Sequence, residues 1–271
     1  MGLFSRTRRS VGLDIGSSSV KLMELERDTK SGSYRLVCFG MAPLPPEAIV
    51  DGAVMNTNAV VDTIRQLVTK HRVKTKDAVV SVSGNSVIIK RINLPAMTMD
   101  ELEESIHWEA EQYIPFDIND VNIDVQILEN ASEDPGQMEV LLVAARKELV
   151  TEYQSLIQQA GLRPVVVDVD AFAVANMFEL AYDAEETSVA LINVGASNVN
   201  IHIVRDGISM FTRDIGMGGR QFTEELQRTL NISYEDAELM KVGDPEQDDR
   251  AVVPEEIEQV MNSVGETLAT E

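Results

Sequence analysis

A single cysteine, Cys38, stands in the chain of 271 residues, so no disulfide can form within it, which fits a reducing compartment such as the cytoplasm. Basic side chains are scarce. Twenty-three Lys and Arg face 45 Asp and Glu, for a formal net charge of −22 and a pI near 4.4. Such a surface repels nucleic acid, whose binding rests on cations at phosphates. It leaves room for a nucleotide, which needs only a local cradle of amides and a metal. No apolar run reaches the length of a membrane span. The leader "MGLFSRTRRS" lacks the apolar stretch of a signal peptide and reads as a disordered start. Arg6 stands where a myristoylation signal needs Ser or Thr. His71, His107 and His202 have no ligand-like spacing and read as surface or packing residues. Neither GxxxxGK[ST] nor GxGxxG opens a helix, which excludes a Walker loop and a Rossmann fingerprint.

What is present is an alternation of strands and helices with 44% apolar residues, enough for a sizeable core. Period-two patterns predict strands over residues 11–15, 19–26, 34–41, 78–83 and 86–93. Val60, Val61, Ile64, Leu67 and Val68 form one stripe of a helix at 58–71. Thr98 and Glu101 make a capping-box pair at the start of a helix running to Ile114. Its Trp108 is read either as core or as the lining of a groove. Strands at 119–128 and 138–145 and a helix at 147–160, closed by Gly161, follow. "RPVVVDVD" reads as a strand feeding the helix "AFAVANMFELA", with Asp168 a strand residue at the sheet end. Three more strands carry a hairpin turn at Asp206-Gly207. Helices at 220–230 and 234–242 precede an acidic, solvated loop, "GDPEQDDR". The last helix, from Pro254, has an apolar face and no stop signal, so the reading expects the fold to continue past Glu271.

Two phrases carry the chemistry. "VGLDIGSSSVKLMEL" (11–25) and "ALINVGASNVNIHIV" (190–204) align at an offset of 179 positions, bringing Gly16 onto Gly195, Ser18 onto Ser197 and Asp14 onto Asn193. Each opens one half of the chain, as a duplication would. Two glycine-containing hairpins facing one another suit a triphosphate. Glycine admits close backbone approach and successive turn amides point at phosphate oxygens. Gly16, Ser17, Ser18 and Ser19 in the first turn, and Gly195, Ala196, Ser197 and Asn198 in the second, are the candidate cradle. Lys21 is placed to supply charge to the terminal phosphates and Asp14 to hold magnesium. Gly218-Gly219, before a helix, are candidates for close approach to ribose or phosphate.

These phrases resemble the actin-like ATPases. "DIGSSSVK" is similar to their first phosphate motif and "LINVGASNVNI" to their second. "VVVDVDAFAVAN" is similar to the connecting strand and helix, and "GMGGRQFTEEL" to the segment beyond the second hairpin. Within that superfamily, "VGLDIGSSSVKLMEL" and "EAEQYIPFDINDV" resemble the PilM family of type IV pilus assembly proteins. The resemblance implies an α/β, duplicated actin-like ATPase fold (FtsA-like). Residues 1–84 would form the first half of domain 1, 85–160 an inserted α+β subdomain, and 161–271 domain 2, incomplete at its C-terminus. It implies ATP and Mg as ligands, with Glu238 and Lys241 of "DAELMK" at ribose and adenine. It puts Asp170 where relatives orient water; the alternative for Asp170 is an N-cap, and the cap is preferred. Asn193 replaces a common aspartate at the second, metal-facing position, so hydrolysis is expected to be slow or absent. The last adenine-binding glycine motif would lie beyond residue 271.

The same resemblance implies a cytoplasmic adaptor, peripheral at the inner membrane. Its partners would be the N-terminal cytoplasmic peptide of a PilN-like protein and other inner-membrane pilus assembly proteins. Contact with the membrane would run through them, without nucleic acid, and self-association stays open. The peptide is placed between the first subdomain and the 85–160 insertion. "SVIIKRINLP" would be the exposed edge strand there, Arg91 and Asn93 the anchors, and the helix at 98–114 one wall. The competing readings are an FtsA-like filament-forming tether and an actively hydrolysing actin-like ATPase.

Overall fold

A computed structural model describes residues 9–28, 30–50, 52–128, 134, 136–182, 187–243 and 255–270. The leader and the acidic loop therefore lie, almost entirely, outside the described residues. The chain divides into two units: residues 1–191 with 201–213, and residues 192–200 with 214–271.

In the first unit, β1 (Val11–Ile15), β2 (Ser19–Arg27) and β3 (Tyr34–Pro43) form an antiparallel meander. A small ribbon, β4 (Ile49–Val50) with β5 (Ala53–Val54), leads to α1 (Thr57–Lys70). The Asn56 side chain caps α1 by accepting the Ala59 N–H. β6 (Asp77–Val82) then returns parallel to β1. β7 (Val87–Pro95), α2 (Met99–Ala110), β8 (Val121–Leu128) and β9 (Gln137–Arg146) follow as a separate three-stranded sheet, in the order β7-β9-β8, with one helix. After α3 (Lys147–Gln159), β10 (Arg163–Val169) completes the first sheet in the order β10-β6-β1-β2-β3. α4 (Asp170–Ala181) leads on to β11 (Ser188–Val194), β12 (Val199–Arg205) and β13 (Ile208–Ile215), which pair in that order; residues 192–200 and 214–215 of these strands and their hairpin belong to the second unit. The turn between β12 and β13 has positive φ at both Asp206 (52°) and Gly207 (74°), the expected primed turn.

Strand alternation decides what meets what. Val11, Leu13, Ile15, Val20, Leu22, Ala78, Val80 and Val82 point to one face and pack against Val60, Ile64 and Leu67 of α1 and Tyr153, Leu156 and Ile157 of α3. The other face therefore carries the intervening residues, among them Gly12, Asp14, Lys21 and Ser81. A second core draws on Ile92, Leu94, Leu102, Ile106, Met138, Val140 and Leu142, so α2 covers one face of its own sheet. The Thr98–Glu101 capping box forms as expected. The helix ends at Ala110, one turn earlier than the pattern suggests, and the chain turns there ahead of Pro115. Trp108, two positions from Ile106, lies on the outer side and is 80% exposed, so it is not core.

In the second unit, α5 (Gly219–Leu230), α6 (Tyr234–Val242) and α7 (Glu255–Thr270) enclose Leu226, Ala237, Ile257 and Val260. Ser233 caps α6 through the Asp236 N–H.

Candidate functional site

The first hairpin brings the expected residues to one tip. Register puts Asp14 directly across from Lys21, and their side chains pair, Nζ to Oδ2, at 2.6 Å. The Gly16 N–H donates to the Ser19 carbonyl at 3.1 Å, closing the turn through Ser17 and Ser18. The Leu44 N–H fixes the tip from outside by donating to the Ser18 carbonyl at 2.8 Å. Asp14 and Lys21 line a cavity of about 320 Å³ together with Met23, Phe39, Ser81 and Asp168. Asp168 is therefore more than the end of a strand. Its neighbour across the sheet, Ser81, faces the same space. The donors there are hard oxygens with one cation. That set fits magnesium, which needs only one or two carboxylates beside water and phosphate. Lys21, paired with Asp14, holds the position where a phosphate would compete for its charge.

The second hairpin repeats the turn-closing bond of the first. The Gly195 N–H donates to the Asn198 carbonyl at 2.8 Å, the counterpart of Gly16 and Ser19. A Cβ on Gly195 would lie 2.9 Å from that oxygen. Ala196 and Ser197 fill the turn. Here, however, the start of α5 docks on the hairpin. The Gly219 N–H donates to the Gly195 carbonyl at 2.9 Å and the Arg220 N–H to the Ala196 carbonyl at 2.7 Å. Gly218 and Gly219, the candidates for close approach to ribose or phosphate, thus make their close approach to the hairpin backbone in this structure. Two helix-start amides are committed to the hairpin, and the Gly218 N–H is committed to Gln221 Oε1 at 2.7 Å. Gly218 is what allows the docking: a Cβ there would meet the Gly195 oxygen at 2.5 Å and Ala196 backbone atoms at 2.8 Å.

Glu238 and Lys241 are more than a surface pair. Lys241 Nζ donates to Glu238 Oε2 at 2.6 Å, to the hydroxyl of the fully buried Thr223 at 2.8 Å, and to the Gly219 carbonyl at 3.0 Å. Burial pushes the Glu238 carboxyl up, but its bonds to Lys241 and Thr223 together outweigh this and hold it below its ordinary value. The knot ties α6 to the start of α5, and through Gly219 to the second hairpin.

Asn193 donates from Nδ2 to Asn200 Oδ1 at 3.2 Å, and Asn200 Nδ2 donates to Asp214 Oδ1 at 2.8 Å. Three neighbouring strands thus carry a polar row ending in a carboxylate that the sequence reading does not single out. Asp170 is also corrected. Val169 is the N-cap of α4 and no side-chain cap bond forms; Asp170 is the first helical residue, with its side chain not engaged as a cap.

The proposed peptide anchors take a different setting from the one expected. Among the described residues β7 is an edge strand, paired to β9 alone. Because Ile92 and Leu94 face α2, Arg91 and Asn93 face away from it, so α2 cannot wall a groove that they line. Arg91 pairs with Glu139, and its Nη1 donates to Met210 Sδ at 3.1 Å and reaches the Ser209 carbonyl at 3.5 Å. On the same face, Gln126 and Leu141 border a cavity of about 580 Å³ whose other side is formed by Phe172, Asn176, Glu179 and Ile208. Buried His202 braces this side, with Nδ1 on the Ala171 carbonyl and Nε2 on Ser209 Oγ, each at 3.0 Å. Burial lowers its pKa from the ordinary value, and the neutral ring donates to the carbonyl and accepts from the hydroxyl.

Compared with known proteins, residues 12–269 match the family described as type IV pilus assembly protein PilM. The cell division protein FtsA of Bacillus subtilis is 25% identical over 254 residues, 85% of this chain and 57% of FtsA. The chain thus spans less than two thirds of that relative's length. A solved PilM-PilN type IV pilus biogenesis complex contains a chain 29% identical, with a TM-score of 0.80 over 96% of this chain and 75% of that one. The ethanolamine utilization protein EutJ from Carboxydothermus hydrogenoformans superposes with a TM-score of 0.56 at 16% identity, over 97% of this chain and 69% of EutJ. The fold is that of the actin-like ATPases.

Proposed function

The chain belongs to the family of type IV pilus assembly protein PilM, and from that premise we propose that it is an ATP-binding adaptor of the type IV pilus machine. It would bind the cytoplasmic N-terminal tail of a PilN-like inner-membrane protein. The observation that carries the nucleotide half is the repeated turn, Gly16 N–H on Ser19 and Gly195 N–H on Asn198. Asp14 and Lys21 flank the first copy. When bound, magnesium would offset phosphate charge. Asp14, with Asp168 beside it, would hold that ion directly or through water, and Lys21 would turn from Asp14 to phosphate. Asn193 brings an amide where a carboxylate would polarise water, so the nucleotide acts as a structural ligand with slow turnover at most.

The peptide half is supported by the likeness to a chain in a PilM-PilN complex, and by the groove between the inserted sheet and α4 with β12 and β13. An extended tail would lie there, with the Arg91–Glu139 pair at its margin. No described helix is long and apolar enough to cross a membrane; the adaptor reading has the membrane reached through the partner. Calorimetry with ATP and magnesium tests the nucleotide half. Asp14→Ala should lose magnesium-dependent affinity while keeping the fold, because an exposed Lys–Asp pair contributes at most about 1 kcal/mol. Equal affinity in that variant would remove Asp14 from the site.

The likeness to FtsA favours a second reading, a filament-forming membrane tether. Sedimentation of ATP-dependent filaments from the purified protein would select it over the adaptor.

A further inference from the structure

We infer that Asp214 is a positioning residue that sets which way Asn193 presents its amide at the second hairpin, acting through Asn200. The inference rests on the nucleotide reading above. An asparagine amide has a donor end and an acceptor end of nearly the same shape, so something must choose between its two orientations. Asn193 is exposed, and water alone would solvate either. Asn200 is 6% exposed and has no such freedom.

The choice is made at the far end of the row. An ionised carboxylate only accepts hydrogen bonds. Asp214 Oδ1 therefore fixes Asn200 with Nδ2 toward it, at 2.8 Å. The Oδ1 of Asn200 is thereby turned the other way, toward Asn193, and can be met only by a donor. Asn193 supplies Nδ2, at 3.2 Å. Its own Oδ1 is left as the atom it offers beyond the row. One carboxylate on β13 thus makes an uncharged residue on β11 present oxygen rather than NH₂ beside the hairpin. Oxygen suits a hydrated cation or the water around a phosphate-bound ion. The NH₂ end would oppose the cation. The row transmits orientation without placing a second negative charge at the tip.

The direction of the row should be reversible, and that gives a test. With Asp214→Asn, nothing acceptor-only anchors Asn200, and both orientations of Asn193 become available. With Asn193→Asp alone, carboxylates flank Asn200, which can turn its NH₂ toward only one of them. With both changes the charge has moved to the other end. The amide introduced at position 214 can donate to Asn200 Oδ1, Asn200 Nδ2 can donate to the carboxylate introduced at position 193, and every bond is restored in reverse.

The experiment is calorimetry of ATP binding with and without magnesium on the wild type and these three variants, with thermal melts alongside. Asp214→Asn should weaken binding in magnesium by about tenfold or less, the scale of one ordinary hydrogen bond, while affinity without magnesium stays put. Asn193→Asp alone should lower the melting temperature. The double variant should recover both the melting temperature and the magnesium dependence. A purely structural role for Asp214 would move melts without changing the magnesium dependence, and would overturn the inference. Additive losses in the double variant would overturn it too. Wild-type protein that binds no ATP would instead overturn the nucleotide reading, and the role of the row with it.

Discussion

Gly218→Ala and Gly219→Ala should differ sharply although they are neighbours in one loop. A Cβ at 218 would lie 2.5 Å from the Gly195 oxygen and 2.8 Å from backbone carbon and oxygen of Ala196. All three are main-chain atoms of the second hairpin, so no rotamer change relieves the contact. A Cβ at 219 would lie 3.7 Å from both the Gly195 oxygen and Lys241 Nζ, and 4.0 Å from the Ala196 Cα, which is ordinary packing. Position 219 is also the first residue of α5, where Ala is a better helix former than Gly by up to about 1 kcal/mol.

Relief at 218 requires α5 to draw back from the hairpin. That breaks the bonds from Gly219 and Arg220 to the Gly195 and Ala196 carbonyls. At about 1 kcal/mol net for each bond, with part of an overpacking cost of about 1–3 kcal/mol added, the loss is about 2–3 kcal/mol. Hydrogen exchange reads this locally. Protection of the α5 amides that survive the change should fall by roughly 30- to 140-fold, at tenfold per 1.4 kcal/mol. Nucleotide affinity should fall with it. Gly219→Ala should keep or raise protection. If Gly218→Ala protects α5 as well as wild type, or Gly219→Ala is the worse of the two, the close docking of α5 on the hairpin is wrong.

Arg91→Glu should set a second carboxylate beside Glu139 at sites only 23% and 21% exposed, costing about 1–3 kcal/mol. In a variant that still folds, it should weaken titration of a PilN-like tail peptide. Undiminished binding would place the peptide elsewhere. His202 has its pKa lowered below 6.5 in the folded chain, so the unfolded chain takes up its proton first. Its contribution should be fully present above about pH 6.5 and drain away as pH falls below that. Urea melts should show this slope in wild type and a flatter one in His202→Asn; equal slopes would refute it. Steady-state ATP turnover should stay below about 1 per second, the bottom of the usual enzyme range. Turnover well within that range would favour the hydrolysing reading.

Much of the architecture was legible because it is written in local periods. The stripe from Val60 to Val68, the Thr98–Glu101 box and the Asp206-Gly207 turn each involve residues within a few positions of one another. Each formed where expected. The paired hairpins were legible for a different reason: a duplication writes the same phrase twice. The alternation in "SVIIKRINLP" even showed that Arg91 and Asn93 share a face opposite Ile92 and Leu94. It could not show which face α2 would take. That is decided by Leu102 and Ile106 packing against Met138, Val140 and Leu142, a contact between segments some thirty positions apart.

The residues that escaped the sequence reading have one thing in common. Asp168, Asn200, His202 and Asp214 gain meaning only from a neighbouring strand or from a helix distant in sequence. Asp168 looks like a strand end until β6 brings Ser81 beside it and the Asp14 cavity in front of it. Asn193 looks like a loss, a neutral residue in place of an acid. In the fold, the acid is present two strands away at Asp214, coupled through a buried amide. A substitution that removes charge at one position is therefore not evidence that the site has lost its acceptor. On the proposed nucleotide reading, the acceptor is retained as an oriented dipole, which would keep an oxygen toward the cation while lowering the negative charge beside a triphosphate. In the nucleotide-holding adaptor proposed above, an oriented amide at that position would favour binding over water activation. Reversing the row by exchanging Asn193 and Asp214 separates those two effects.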